Sequence, residues 1–537
     1  MSGFSTLPRE LTDEIFYLIS PTDLLNIGLT CKALYEKSIP NIRRFLKISA
    51  LVGPSLSETR TKELFSKAST EASLEYLREI EVNQVYRRGE VDNRNPGPRH
   101  VYIAPNSSDG ESSSKFHSRE IFNTSFRHLL SQLPPEQLKK FSCSISLPPA
   151  EGYLADDFFE SQTLSALFSP TNMLTTLNLS FFHSLASHCS VFHLPHLTFF
   201  TFRSYDFRDY YHVIFSILHN CQKTLKELYC NNERHPNGVL AGPSARRRRE
   251  MESYMKMGYE KWKGCKKCPK GIEPPVPLTE KRIRLEELRV WRIDGMSPMM
   301  TQIFATYGLV RDAPLVDVEV SIGSLAFVKL KTSGRETLQL DRLLQYANGT
   351  PTLPDALGLE AYFKSVKGLV KVTLNFHGNV GSGWLGALKG SSETLREFHL
   401  ANVFGTMILT EDEIEGLGRL LPKLEMLTIS SNRTMPSCIT NYEVFPRLRY
   451  FANRAYLNFD SASCKDQLGG IMRRKKTKPG FSTPLRLIRF RMPGQNFLIE
   501  RDSADGYDTN EDIRIHTIED SKMQEVLSGL GEAPKFG

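Results

Sequence analysis

The feature that most constrains the fold is a short pattern, Leu-x-x-apolar-x-apolar, that recurs along most of the chain. Leu174, Leu197 and Leu225 begin three copies that are 23 and 28 residues apart, and the copies from Leu369 onward are separated by 26, 29, 24 and 37 residues. A repeat built from one short strand and one helix needs an interval of this size. The pattern therefore predicts a series of strand–helix units. The clearest copies begin at Leu138, Leu174, Leu197, Leu225, Leu285, Leu369, Leu395 and Leu424, and weaker ones begin at Leu77, Leu325, Leu448 and Leu485.

These copies resemble degenerate leucine-rich repeats. Residues 424–432 match the fuller repeat signature, including the closing Asn432, and helical stretches are expected at 211–221 and 411–421, just before strands. The resemblance implies an α/β fold in which parallel strands follow one another in a solenoid over residues 46–500. A non-repeating α/β domain with short buried strands is the alternative. The long gaps after Leu225 and Leu285 require insertions or repeats that cannot be aligned.

Residues 7–35 carry a separate, helical signal. Pro8 suits the first position of a helix because its fixed φ and missing N–H cost nothing there, and the helix dipole favours Glu10 in the first turn. The start signal returns in Ser20-Pro21-Thr22-Asp23, where a capping hydroxyl precedes the proline. Apolar residues recur at helical intervals after both starts, and a third set lies at Ala33, Leu34 and Ile39. The sequence therefore predicts three short helices.

Three helices this short bury too little surface to be stable alone, so another part of the chain or another protein must cover them. The order Leu-Pro-x-Glu-Leu, Ile, Ile, x-x-Asp-Leu-Leu and Leu-x-Cys-Lys resembles an F-box, here residues 1–45, of the fungal type that is joined to leucine-rich repeats. The resemblance implies docking on the Skp adaptor of a cullin–RING ubiquitin ligase. An ordinary helical cap on a larger domain is the alternative. The implied adaptor-facing or supporting residues are Leu7, Pro8, Leu11, Ile15, Leu24, Leu25 and Leu29, and Cys31 and Lys32 continue the motif.

Composition limits the setting in which the chain is expected to work. The sequence has no run of 18 apolar residues and no secretory leader pattern, which predicts neither a membrane span nor export. Nine scattered cysteines are then expected to be reduced thiols, as in the cytoplasm or nucleus. The net charge of +8 comes from residues 231–284, which hold 14 Lys/Arg against 6 Asp/Glu. So local an excess argues against a protein whose whole surface tracks nucleic acid.

Three segments are predicted to lie outside the strand–helix units. Residues 87–119 are polar and rich in Gly, Pro, Ser and Asn, which predicts a flexible loop. Residues 231–284 form a basic insertion, and the acidic residues 501–537 are predicted to be a disordered tail. The basic runs at 246–249 and 473–478 fit an import signal, a patch for acidic partners or a solvated loop equally well.

The motifs that could support catalysis or cofactor binding are incomplete. Residues 381–386 match G-x-G-x-x-G, but the next strand lacks the acid that a ribose needs, so a strand-to-helix turn is favoured. Cys265 and Cys268 have the spacing of zinc ligands, but a structural zinc site requires four ligands. Cys230, a further candidate ligand, is expected to face the core. Nucleophile-elbow and zinc-protease motifs are absent. The sequence therefore predicts a non-catalytic protein without a cofactor or metal.

The combined prediction is a substrate-recognition subunit of an SCF-type ubiquitin ligase, in which the repeat array holds a protein substrate near the ubiquitin-charged enzyme. Two alternatives stay open: a repeat scaffold outside any ligase, and a nuclear, nucleic-acid-associated protein that uses the basic insertion. Substrate contacts are expected at outward positions of the strand face, such as Thr176, Glu227, Glu287, Glu397 and Met426.

Overall fold

A computed structural model describes residues 7–19, 21–52, 74–86, 111–145, 159–169, 171–180, 194–204, 211–232, 284–294, 310, 313–322, 325–338, 356–376, 382–402, 409–429, 436–441, 443–453, 487–490, 496–501 and 513–518. These residues fall into two compact units. The first holds the described residues from 7 to 232 together with 284–288 and 310, and the second holds 289–294 and those from 313 onward. None of the described helices is both long and apolar enough to cross a bilayer.

The three predicted N-terminal helices are present, and we call them the three-helix module: α1 (Arg9–Leu18), α2 (Pro21–Gly28) and α3 (Lys32–Arg43). Pro21 is the first residue of α2, as predicted, and Ser20 lies outside the described residues. The prediction for Pro8 is wrong by one position. Pro8 is the N-cap of α1, with an extended ψ of 146°, and its carbonyl accepts a hydrogen bond from the N–H of Thr12 at 3.0 Å. The missing N–H costs nothing there either, because helix-start N–H groups have no partner within the helix.

One residue, Arg44, separates α3 from the first strand. The first unit contains six strands, and each is paired in parallel with the next one along the chain. They are β1 (Phe45–Val52), β2 (Glu79–Tyr86), β3 (Lys140–Ile145), β4 (Thr176–Ser180), β5 (Phe199–Ser204) and β6 (Glu227–Asn232). The described helices between them are α4 (Glu111–Gln132), α5 (Ser161–Leu167) and α6 (Tyr211–Asn220).

These strands form because the apolar positions of the repeated pattern point into the core. In β4, Leu177 and Leu179 are buried while Asn178 between them is half-exposed, and Leu174 is buried just before the strand. Such alternation is the signature of a strand with one buried face. The copies that begin at Leu77, Leu138, Leu174, Leu197 and Leu225 are confirmed as β2 to β6.

The second unit contains ten strands, with both parallel and antiparallel pairs. They are β7 (Val290–Asp294), β8 (Asp317–Ile322), β9 (Leu325–Thr332), β10 (Leu369–Phe376), β11 (Glu397–Asn402), β12 (Met426–Ile429), β13 (Tyr450–Asn453), β14 (Leu487–Phe490), β15 (Asn496–Arg501) and β16 (Ile513–Ile518). Strands β10 to β14 pair in parallel in chain order. Between strands lie α7 (Ala356–Ser365), α8 (Glu411–Leu420) and two 3-10 helices, Gly383–Ser391 and Ser437–Thr440. The predicted fold class, helices followed by a long series of parallel strands, is confirmed.

Two repeat predictions in the second unit need correction. The copy assigned to Leu285 begins three residues later, at Leu288, because Trp291 and Ile293 are the buried strand positions. The N–H of Leu288 donates to the carbonyl of Leu285, as Leu197 does to Leu194, so Leu288 and Leu197 are equivalent. The copy at Leu325 is β9, which runs antiparallel to both neighbours, β8 and β10, and so is no parallel repeat.

Two of the segments predicted to be irregular contain regular structure. Helix α4 begins at Glu111, so the predicted loop at 87–119 ends in helix, and its other residues lie outside the described ranges. The tail predicted to be disordered from residue 501 contains β16, paired antiparallel with β15. Both predictions rested on polar composition. In the tail, residues 513–518 alternate apolar and polar side chains as a strand does. The basic insertion lies outside the described residues except at its two ends, 231–232 and 284.

Candidate functional site

The three-helix module has a small core of its own. Phe16, Leu24 and Leu34, one from each helix, are buried together, and Ile15, Ile19, Ile27 and Ile42 pack against them. Gly28 lets α2 approach α3 closely, because a Cβ on Gly28 would lie 3.0 Å from Oγ of Ser38 and 3.2 Å from the ring of Tyr35. Lys37 donates to the carbonyl of Leu7 at 3.1 Å and ties α3 to the start of α1. The module therefore has a defined arrangement of its helices.

Around this core the module exposes an unusual amount of apolar surface. Leu18 is 85% exposed, Leu29 75% and Leu11 49%, and the remaining large exposed apolar residues are Tyr17, Leu25 and Tyr35. All of the large exposed apolar side chains among the described residues lie in this module. Clustered apolar exposure of this kind is typical of a surface that binds another protein.

The nine residues predicted for adaptor binding divide into two groups. Leu24 belongs to the core of the module, and Ile15 packs against that core, so both support the surface and do not form it. Leu7 is half-buried, while the other six are exposed: Pro8, Leu11, Leu25, Leu29, Cys31 and Lys32. Leu18, the most exposed apolar residue, was left out of the predicted set. Its position seven residues after Leu11, two helical turns along the same face, was the available signal.

The side chains of β1 to β6 that point away from the core form a second candidate surface, which is mostly polar. Thr176 and Glu227, which the sequence predicts to contact a substrate, are half-exposed. The charges on this face are largely paired with one another. Lys47 lies 2.9 Å from Glu81, and the hydroxyl of Tyr229 donates to Glu227 at 3.0 Å. Burial raises the pKa of Glu81, but its bonds to Lys47 and Asn83 more than offset this, so that the pKa lies below its usual value.

The corresponding face of the second unit is closed at two neighbouring strands. Every residue of β12 and β13 is buried. Met426, predicted to contact substrate, is only 5% exposed, so that prediction is wrong, because the sequence pattern marks only the other face as buried. Glu287 is exposed but precedes β7, since the copy begins at Leu288. The strand face of the second unit is therefore closed at β12 and β13.

A buried polar cluster occupies the closed face of the second unit. Nζ of Lys371 lies 2.5 Å from Glu397, whose Oε2 is 3.7 Å from Nε2 of His399. Nδ1 of His399 is 2.7 Å from the hydroxyl of Thr428. Burial alone raises the pKa of Glu397, but the nearby imidazole of His399 and the charge of Lys371 outweigh burial and lower the pKa below its ordinary value.

The hydroxyl, imidazole and carboxylate of this cluster are in the order of a catalytic triad, which sequence reasoning missed because the three residues lie on two strands. Thr428 is 1% exposed and His399 2%, so no substrate could approach the hydroxyl without displacing the core. The arrangement fits a role in holding β10, β11 and β12 together, because paired polar groups on neighbouring strands specify their register.

The other predicted chemical motifs give no site. In the glycine-rich turn, Trp384 is buried and stacks on Phe363 with ring centroids 5.2 Å apart, which agrees with a packed turn. Cys230 is buried in β6, and burial raises the pKa of its thiol to about 12. No cluster of three or more metal-binding side chains occurs among the residues that the structure describes. Cys265 and Cys268, like both basic runs, lie outside them.

Comparison with known proteins identifies a domain family for the three-helix module. No curated protein sequence matches the chain. A solved structure, the complex of Rad7 and Elc1 in yeast, is similar over 84% of this chain and 87% of that chain, at 13% sequence identity and a TM-score of 0.27. So low a score supports no conclusion. The F-box domain family matches residues 4–38, which include α1, α2 and the first part of α3. The N-terminal module of this chain is an F-box domain.

Proposed function

We propose that this chain is a non-catalytic substrate-recognition subunit of an SCF-type cullin–RING ubiquitin ligase. The observation that carries the proposal is the exposure of apolar side chains in an F-box domain, foremost Leu11, Leu18 and Leu29. Exposed apolar side chains are unfavourable in water. A protein partner that covers them would gain roughly 25 cal/mol for each Å² of apolar surface removed from water. The Skp adaptor is the partner that an F-box domain implies.

The strand face of the first unit is the proposed substrate surface. Its side chains include hydroxyls, amides and paired charges that are at least half-exposed, together with the neighbouring rings of Phe199 and Tyr229. These groups can bind a polypeptide without a strong net field. Such a face suits a protein substrate better than nucleic acid, which is bound by unpaired positive charge. The ligase would then act by holding substrate and ubiquitin-charged enzyme together, so that the effective concentration is raised.

Co-purification of the Skp adaptor tests the proposal. Wild-type chain should retain the adaptor, whereas the Leu11→Ala/Leu29→Ala variant, changed only at exposed side chains, should bind it about tenfold more weakly or worse. The Leu7→Ala/Pro8→Ala variant tests the start of α1 in the same way. Lys226→Ala, an exposed change outside the module, is the control and should bind normally. Failure of the wild-type chain to bind the adaptor would favour a scaffold outside any ligase.

A further inference from the structure

The F-box domain is joined to the strands β1 to β6, which we call the strand array. The junction between the two is built around the side chain of Arg44. Helix α3 ends at Arg43 and β1 begins at Phe45, so Arg44 is the whole connection along the chain. Its own φ and ψ are helical. A connection of one residue cannot act as a flexible linker, since reach and freedom grow with the number of residues.

On the module side, the guanidinium of Arg44 contacts two helices at once. Nη2 donates to the carbonyl of Tyr17 in the last turn of α1 at 2.7 Å, and Nη1 donates to Oδ1 of Asn41 in α3 at 3.0 Å. The guanidinium carbon also lies 4.3 Å from the centroid of the Tyr17 ring, in a cation–π contact. Carbonyls in the last turn of a helix lack helical partners, so Arg44 satisfies a group that α1 leaves open.

On the array side, the same residue is held by β2. Nε of Arg44 lies 3.4 Å from Oε1 of Glu79, and Oε2 of Glu79 lies 3.0 Å from Nζ of Lys140 in β3. The carbonyl of Arg44 accepts hydrogen bonds from the N–H groups of Arg78 and Glu79 at 2.8 and 2.9 Å. The side chains of Arg44 and Glu79 are only 11% and 13% exposed. Water therefore screens this pair less than the Lys32–Glu36 pair of α3, whose side chains are 90% and 62% exposed.

From this geometry we infer that Arg44 is a positioning residue that locks the F-box domain to the strand array. Its two Nη atoms donate to α1 and α3, and its charge lies beside Glu79 of β2, which in turn pairs with Lys140 of β3. A planar guanidinium can make these contacts at once, whereas an ammonium cannot. Resting on the proposed function, this means that the adaptor bound to the module is held at a fixed orientation to the strand face. A substrate on β1 to β6 would then be presented at a set distance from the ubiquitin-charged enzyme.

The experiment measures the distance between module and array in the full chain, with and without the Skp adaptor. Spin labels are placed at Glu36 in α3 and at Lys226, both exposed, through a non-natural ketone amino acid that spares the native cysteines. The wild-type distance distribution should be narrow. In Arg44→Ala its width should roughly double, because relative motion is the default for modules without a firm interface. Arg419→Ala, which removes an arginine that is 70% exposed, is the control and should leave the width unchanged.

Two conservative variants keep the test informative if Arg44→Ala fails to fold. Arg44→Lys retains the charge opposite Glu79 but loses the fork to Tyr17 and Asn41, so its distribution should be intermediate in width. Glu79→Gln removes the carboxylate charge that pairs with Arg44 and should also broaden the distance distribution. Wild-type width in the folded variants would overturn the inference. Adaptor binding by Arg44→Ala should match wild type; absence of adaptor binding even in wild type would refute the proposed function alone, since the width measurement does not depend on it.

Discussion

Gly418 in α8 lies directly against Phe445, so that a Cβ on Gly418 would be 2.6 Å from Cζ of that ring and 2.5 Å from Cγ1 of Val444. Helix α8 and the segment before β13 can pack at this distance only because position 418 has no side chain. Two residues earlier, Gly416 has open space around the site of a Cβ. The same helix therefore offers two glycines with opposite consequences for substitution.

Gly418→Ala should destabilise the second unit by about 1–3 kcal/mol, because buried residues must move to admit the methyl group. Gly416→Ala should instead stabilise by about 0.5–1 kcal/mol, since alanine is the better helix former and meets no neighbour. Urea unfolding of the full chain compares the two directly. Equal effects of the two substitutions would show that α8 does not pack on Phe445.

The start of α8 provides a second, independent test of the helix. Thr410 is its N-cap: the N–H of Glu413 donates to the threonine hydroxyl, and the N–H of Thr410 donates to the carboxylate of Glu413 at 2.7 Å. Thr410→Ala should lower the free energy of unfolding by about 1 kcal/mol. The substitution removes the hydroxyl that accepts a hydrogen bond from the N–H of Glu413, and the capping box is broken. The control variant Glu415→Ala, at a half-exposed residue whose pair with Arg419 lies at the surface, should cost less than about 0.5 kcal/mol. A larger loss in Glu415→Ala than in Thr410→Ala would contradict the capping box.

The fold was largely readable from the sequence where one physical rule dominates. The copies at Leu138, Leu174 and Leu197 predicted β3, β4 and β5, because the alternation of buried and open positions is carried by adjacent residues. The antiparallel β9 was misassigned since a strand pattern does not encode the direction of its neighbours. The loop at 87–119 and the tail at 501–537 were predicted to be irregular because both are polar in composition. In the tail, that prediction overlooked the alternation of apolar and polar residues at 513–518, which form β16.

The sites were less readable because they depend on contacts between residues far apart in the sequence. The F-box motif predicted the module, but which leucines are exposed depends on how three helices meet, so Leu24 and Leu29 look alike until they are folded. Arg44 bridges Tyr17 and Glu79, and the cluster of Glu397, His399 and Thr428 joins two strands. No local pattern marks such groups.

The lowered pKa of Glu397 predicts how the second unit responds to acid. Because the folded-state pKa lies below the ordinary carboxyl value of 4.5, the ionised form is favoured in the folded protein. The resulting stabilisation is fully present above pH 4.5 and is lost as the pH falls through the folded-state pKa. Glu397→Gln should therefore lower the free energy of unfolding by about 3 kcal/mol near neutral pH, since Lys371 then keeps its charge in a buried site without a partner.

Urea unfolding as a function of pH checks this prediction. The difference between Glu397→Gln and wild type should shrink steadily below pH 4.5. Glu393→Gln is the control, because Glu393 is 74% exposed and lies 4.0 Å from Lys423. Its stability should follow wild type across the range to within about 0.5 kcal/mol. A constant difference between Glu397→Gln and wild type at all pH values would show that Glu397 is not the titrating group.

Two leucines five residues apart, Leu24 in α2 and Leu29 just after its end, distinguish folding of the F-box domain from binding by it. Leu24 is fully buried against Phe16 and Leu34, whereas Leu29 is 75% exposed. Leu24→Ala should destabilise the module by about 2–5 kcal/mol, the usual cost of a cavity in a core, and amide hydrogens of α1 to α3 should exchange faster. Leu29→Ala should leave that exchange unchanged, because it removes an apolar side chain that is already in water, and should weaken adaptor binding alone. Faster exchange in Leu29→Ala without the adaptor would mean that Leu29 supports the fold, and the exposed surface would then have to be assigned to other residues.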